Sequence, residues 1–195
     1  MTWTGSLLTR LLPLSLAVLS IIFYFSNNFL SVMTSPVSTP YSVPRVSIAA
    51  TRDVLGTGEP CELEVAVHND DAQSTMTVLG WNSPLDKMAV ILGVYEIRDR
   101  ETGEVVEMDR IQVSRLLPPP PESLVEIKPK ESEKLHVVLK GVNLPPGRTY
   151  TIRAEGWWQS VWHLPKEEVI SRYLADQSGA ISGDFLSNTV EVTQS

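Results

Sequence analysis

The chain has 195 residues, which is enough for one ordinary domain with extensions, and 43% of them are hydrophobic, so a substantial core is expected. The formal net charge is -7 and all 23 acidic residues follow Arg45, a distribution that argues against a nucleic-acid partner. Because Cys61 is the single cysteine, an internal disulfide is excluded.

The amino-terminal part of the chain predicts a membrane anchor. No charged residue occurs between Arg10 and Arg45, and residues 11–25 are almost wholly apolar. A helix over residues 7–30 would be about 36 Å long, enough to cross a membrane core of about 30 Å. We favour this anchor over a cleaved signal peptide because no small-x-small cleavage site follows the apolar run. By the positive-inside rule, Arg10 then places the carboxyl-terminal part in the secretory lumen or outside the cell; secretion is the alternative.

The composition divides the chain into three parts. Residues 1–30 form the signal anchor or signal peptide, residues 31–44 a Ser/Thr/Pro-rich tether, and residues 45–195 the folded domain. Within that domain, apolar and polar residues alternate as they do in half-buried strands. The segments with this pattern are residues 46–50, 61–68, 75–81, 91–98, 105–106, 110–114, 125–127, 135–140, 149–155 and 187–193.

The clearest strand contains Cys61, whose side chain is predicted to face the core together with Leu63, Val65 and Val67. In residues 110–114, Ile111 and Val113 are predicted to point inward. The four prolines at 118–121 predict a rigid, extended crossover between two sheets, with a ligand for an aromatic-grooved module as the alternative.

One short helix is predicted near the carboxyl end, at residues 165–175, with Val169, Ile170, Tyr173 and Leu174 on its apolar face. A small-residue loop at 177–184 follows it. Before the helix, Gly147 ends a turn and Tyr150 begins a late strand, which is where immunoglobulin-like sandwiches carry a tyrosine corner. The predicted fold is therefore an all-β, immunoglobulin-like antiparallel sandwich with one short helix.

Three tryptophans, Trp157, Trp158 and Trp162, are the candidate partner contacts. Adjacent residues of a strand point to opposite faces, so Trp157 and Trp158 cannot both enter the same core. Packing beneath the predicted helix is one explanation for the cluster. Contact with a partner or a membrane surface is the other, because aromatic residues are enriched at both.

The sequence offers few parts for catalysis. The histidines His68, His136 and His163 do not form a zinc-binding helix motif, and no nucleophile elbow is present. Asp70 and Asp71 could join His68 at a metal, but acidic residues at the end of a strand are usually turn formers. We therefore predict no enzyme activity, no metal and no cofactor.

Several segments resemble a known family when taken in order. They are TVLGWNSPLD, GVYEIRDRETGEVV, SLVEIKPKESEKLHVVL, LPPGRTYTIRAEG and SNTVEV. Over residues 43–192 this series resembles fungal deuterolysin-type metalloprotease propeptides and, more loosely, bacterial intracellular proteinase inhibitors. The resemblance implies an immunoglobulin-like domain that binds a protease or assists its folding.

The predicted function is that of a non-enzymatic domain, tethered to a membrane of the secretory pathway, that binds another protein. A protease is among the candidate partners, through the resemblance. The alternatives are a soluble secreted small-molecule-binding module with a Trp-lined cleft and an accessory enzyme of unrecognised type.

Overall fold

Two β-sheets form the framework of the fold in the computed structural model, which describes residues 42–195. The ten strands are β1 (Arg45–Ala50), β2 (Val54–Leu55), β3 (Cys61–His68), β4 (Met76–Leu79), β5 (Tyr95–Asp99), β6 (Leu124–Ile127), β7 (Ser132–Leu139), β8 (Arg148–Trp162), β9 (Ile181–Leu186) and β10 (Val190–Gln194). Within residues 42–195 they are joined by one α-helix, α1 (Lys166–Arg172), and a short 3-10 helix (Pro121–Ser123). The fold is thus all-β with little helix, as the sequence predicts.

The smaller sheet has the strand order β1-β3-β7, and the larger one is built around β8. Because β8 has 15 residues, it serves two sets of neighbours. Its first half pairs with β10 and β5, and its second half pairs with β9 and β4. The pairing is antiparallel except between β2 and β10, which are parallel; the short strand β2 escaped prediction.

The core lies between the inward faces of the two sheets. In β3, Cys61, Leu63, Val65 and Val67 are buried and alternate with more exposed residues, as the sequence pattern predicts. A second, smaller cluster lies under α1. Its buried members are Leu79, Trp81, Leu124, Trp162, Val169 and Leu174. The predicted helix face therefore does cover apolar residues, although Ile170 is exposed.

The predicted anchor at residues 7–30 and most of the tether lie outside the described residues. Among residues 42–195, no helix combines the length and the apolar character that crossing a membrane requires.

The predicted strand at residues 110–114 is wrong. Ile111 and Val113 are 44% and 37% exposed, and a single backbone bond, from the Ile111 N–H to the Ile91 oxygen, ties the segment to the chain before β5. Arg115 holds it from the other side, through an ion pair with Asp86 and by lying over the ring of Trp81. Side-chain contacts, rather than a strand ladder, fix this segment.

Two further predictions need correction. The proline run does not cross between the sheets, since it connects β5 to β6 and both belong to the larger sheet. The Gly80 N–H bonds to the Ser123 oxygen and brings the chain back beside β4. The predicted loop at 177–184 is also too long, because β9 begins at Ile181 and pairs with β8.

The turn before β8 has the geometry of a tyrosine corner. The Tyr150 hydroxyl donates a hydrogen bond to the Pro145 oxygen, 3.1 Å away. Gly147 adopts a φ of 75°, which a residue with a side chain rarely adopts, and its N–H bonds to the Gln194 oxygen. These bonds fix the start of β8 against the last strand.

Two buried tyrosines provide a matched test of this corner. The Tyr95 hydroxyl is also buried, but it has no hydrogen-bond partner among residues 42–195. We expect Tyr150→Phe to lower the free energy of unfolding by about 1 kcal/mol, since a partly buried hydrogen bond is lost. Tyr95→Phe should leave the stability unchanged or raise it, because it removes an unsatisfied polar group. Urea unfolding of both variants measures this, and equal losses would show that the corner bond contributes nothing.

Candidate functional site

The three candidate tryptophans have different environments. Trp158 is fully buried; its indole N–H donates to the Pro44 oxygen at 3.0 Å, and its ring lies 4.9 Å from that of Phe185. Trp162 is also fully buried, with its N–H bonded to the Ser178 oxygen. Neither can contact a partner, because Trp158 lies in the main core between the sheets and Trp162 lies in the second cluster under α1.

Trp157 is the exception, because alternation along β8 turns its side chain away from the core. It is 51% exposed and lies opposite Asp184 of β9. Leu186, which is 61% exposed, lies opposite Glu155 on the same outer face. These four residues, Glu155, Trp157, Asp184 and Leu186, are called the Trp157 face below. Leu186 escaped the sequence analysis because it lies between the predicted loop at 177–184 and the predicted strand at 187–193, whereas the structure places it at the end of β9.

A network of ion pairs borders the Trp157 face. Arg153 contacts Glu155 at 2.8 Å and Glu96 at 3.0 Å, and Arg98 contacts Glu96 at 2.7 Å. The hydrogen bond from Arg98, followed by the charges of Arg153 and Arg98, lowers the pKa of Glu96. The carboxylate therefore stays ionised through the neutral range, and the border is a fixed, charged rim beside an apolar centre.

The strand pair that presents Trp157 is held from beneath. Gly156 and Phe185 are directly opposed, and a side chain at Gly156 would come within 2.8 Å of the Phe185 ring. The glycine thus lets Phe185 lie across β8 and contact Trp158 on the inner face. Packing on this inner face fixes the direction in which Trp157 points outward.

A second feature is a groove of about 550 Å³ between the β4–β5 connection and the strand β7. Its lining is mostly apolar and contains no tryptophan: Pro84, Leu85, Asp86, Lys87, Met88, Ala89, Val90, Ile91, Leu135, His136, Val137, Val138 and Lys140. Three other grooves formed by the described residues also lack tryptophan, so they do not provide the Trp-lined cleft that the sequence suggested as an alternative.

The residues considered for a metal are engaged elsewhere. The ring nitrogens of His68 lie 2.7 Å from the Ser47 hydroxyl and 2.6 Å from the Ser132 hydroxyl, so the three side chains cross the small sheet as a polar ladder. Asp70 pairs with Arg45, and Asp71 accepts backbone N–H bonds within its own turn. In residues 42–195, no three His, Cys, Asp or Glu side chains are grouped to hold a metal ion.

Cys61 has the environment of a core residue. It is buried at the start of β3, and burial raises the pKa of its thiol to about 11. The thiol is therefore protonated at neutral pH, whereas nucleophilic attack needs the thiolate.

Comparisons with known proteins give two results. A family model for the immunoglobulin-like domain matches residues 54–194. A protein of Arthroderma benhamiae named "Uncharacterized secreted protein" is 44% identical over 192 residues, which cover 97% of this chain and 95% of that protein.

Proposed function

The chain belongs to the immunoglobulin-like domain family, and on that premise we propose that it is a secreted, non-enzymatic domain that binds another protein through the Trp157 face. The observation that supports this most is the exposure of Trp157 beside Leu186, while the two neighbouring tryptophans are in the core. Tryptophan is among the residues most enriched in binding hot spots.

The anatomy of the Trp157 face suits a protein interface. An apolar centre of one aromatic and one aliphatic side chain is bordered by the ion pairs of Arg153 with Glu96 and Glu155. Protein interfaces typically combine a desolvated apolar centre with a polar rim. Because both centre residues project from paired strands of the large sheet, little conformational entropy is lost when a partner covers them.

The nature of the partner is proposed from the resemblance alone. That resemblance implies a domain that binds a protease or assists its folding, and we therefore include a secreted protease among the candidate partners. The present geometry adds only that such a partner would need an apolar surface to receive Trp157 and Leu186.

A matched set of variants tests the proposed surface. We expect Trp157→Ala to weaken capture of the partner by about 2 kcal/mol or more in binding free energy. Leu186→Ala should have a smaller effect in the same direction. Val54→Ala, at an exposed apolar residue of β2, is the control and should bind normally. The immobilised full-length protein is incubated with concentrated culture medium, and the retained proteins are quantified by mass spectrometry.

Equal capture by wild type and Trp157→Ala would exclude the Trp157 face as the interface. A loss that occurs equally with Val54→Ala would show that retention is nonspecific. Thermal melts accompany each binding measurement, since Trp157 contributes little to the core and its replacement should leave the melting temperature nearly unchanged.

The location of the protein in a cell culture distinguishes a secreted protein from one held by the predicted membrane anchor. The name of the Arthroderma benhamiae relative supports secretion, whereas the predicted anchor at residues 7–30 lies outside the described residues. We expect the protein in the culture medium, with an amino terminus downstream of residue 25. Recovery of the full-length chain in the membrane pellet after sodium carbonate extraction would instead establish the anchor.

A further inference from the structure

Within residues 42–195, the edge strand β7 has N–H groups on its outer side that pair with no other strand. The Asn69 N–H bonds to the Glu131 oxygen, and the Thr51 N–H bonds to the Glu62 oxygen. With the β3–β7 register, these two bonds fix the ladder, so residues 133, 135, 137 and 139 bond to β3. The N–H groups of Ser132, Lys134, His136 and Val138 then point outward.

Those outward groups form a potential pairing edge. Among residues 42–195, no strand pairs with β7 on that side. Ser132 to Val138 extends over about 20 Å at roughly 3.3 Å per residue, the length of an ordinary strand. An edge of this kind is a template for the addition of another strand.

The opposite edge of the same sheet is blocked at its centre, in contrast. At β1, the Asn188 side chain accepts a bond from the Ile48 N–H at 2.9 Å and donates one to the Ile48 oxygen at 2.8 Å. A single amide thus occupies the position of a neighbouring strand. Within residues 42–195, the fold therefore blocks strand addition at the middle of β1 and leaves the β7 edge without a neighbouring strand.

The open edge forms one wall of the 550 Å³ groove, and the β4–β5 connection forms the other. This second wall is held in place by Asp86, whose carboxylate accepts bonds from the Asn82 and Met88 N–H groups and pairs with Arg115. The groove is thus formed before any partner arrives. Leu85, Val90 and Val137 give it an apolar floor, since all three pack against the core.

The charges at the groove favour one kind of occupant. Lys87 and Lys140 line it and form no ion pair among residues 42–195, whereas Asp86 is neutralised by Arg115. Two ammonium groups without an ion pair in residues 42–195, on a chain whose net charge is -7, mark a local site for carboxylates.

We infer that β7 and its groove bind an extended peptide of another protein, in which apolar residues alternate with acidic ones. The peptide adds as a fourth strand to the small sheet and bonds to the outward N–H and C=O groups of Lys134 and His136. At Val138 it bonds to the N–H alone, because the Val138 oxygen already accepts the Lys140 N–H. Its apolar side chains enter the groove, and its carboxylates meet Lys87 and Lys140. This mode of binding, in which backbone pairing gives affinity and alternate side chains give specificity, is β-augmentation.

The test uses the full-length protein and a capped, fluorescent peptide in which valine and glutamate alternate, with a valine–lysine peptide as its counterpart. We expect saturable binding of the glutamate peptide and none of the lysine peptide by fluorescence anisotropy. The double variant Lys87→Glu/Lys140→Glu should bind at least about tenfold more weakly, whereas Lys128→Glu, a lysine outside the groove, should bind normally.

Backbone pairing has its own readout. The glutamate peptide should slow hydrogen exchange at the amides of Lys134, His136 and Val138, and exchange at Trp157 should not change. The inference is overturned if the two peptides bind equally, if those amides gain no protection, or if a second copy or residues 1–41 already occupy the edge and prevent binding. Because Trp157→Ala leaves this groove intact, failure here and failure of the Trp157 interface are distinguishable.

Discussion

Replacing Val65 with aspartate is expected to leave little folded protein near room temperature. Val65 lies in the middle of β3, is almost completely buried and faces the large sheet. An unpaired carboxylate at this position loses its hydration without gaining a partner, a class of substitution that costs about 4 kcal/mol or more. That is comparable with the whole stability of an ordinary domain, about 5 to 15 kcal/mol.

The neighbouring residue provides the control. Glu64 is exposed on the other face of β3, and its contact with His136 lies at the surface. Glu64→Lys should therefore lower the free energy of unfolding by less than about 1 kcal/mol, which appears as a small shift of the urea midpoint. If both variants unfolded with the same midpoint, the assignment of the two faces of β3 would be wrong.

Trp158→Ala is expected to have the second largest effect. The substitution leaves a cavity at a fully buried site. It also removes the hydrogen bond from the indole N–H to the Pro44 oxygen and the ring contact with Phe185. Buried Trp→Ala changes typically cost about 3 to 5 kcal/mol. The measurement is a thermal melt with a urea titration, in parallel with Trp157→Ala, which should melt within a few degrees of wild type.

The stabilities of the Trp157→Ala and Trp158→Ala variants each test one part of the structure. A large stability loss for Trp157→Ala would mean that its ring is covered, and the Trp157 face could not then be a partner surface. A small loss for Trp158→Ala would contradict the packing of β8 against Phe185 and the chain at Pro44.

The sequence predicts strands most accurately where one face of the strand is buried and the other is exposed to solvent. In β3, the four core residues lie two positions apart, so an extended chain can bury all of them only by turning that face toward the core. The same alternation in residues 110–114 was misleading, because Arg115, through Asp86 and Trp81, holds that segment outside both sheets. Long-range contacts of this kind leave no local pattern.

The candidate site was only partly predictable for a related reason. Alternation requires Trp157 and Trp158 to point in opposite directions, but it does not say which of them enters the core. That choice depends on Phe185 and on Gly156 beneath it, which belong to β9 and β8 and meet only in the folded sheet. The segment of β9 contains small and polar residues, so neither the strand nor exposed Leu186 was predicted.

Cross-linking from the Trp157 face tests the central claim most directly. A photoreactive benzophenone side chain replaces Asp184, which lies opposite Trp157, in the full-length protein, and this variant is incubated with concentrated culture medium. The proposal predicts a discrete cross-linked product with another protein, which disappears when Trp157→Ala is added and is absent when the probe is placed at Val54. No product from position 184, or the same product from both positions, would contradict a partner interface at Trp157.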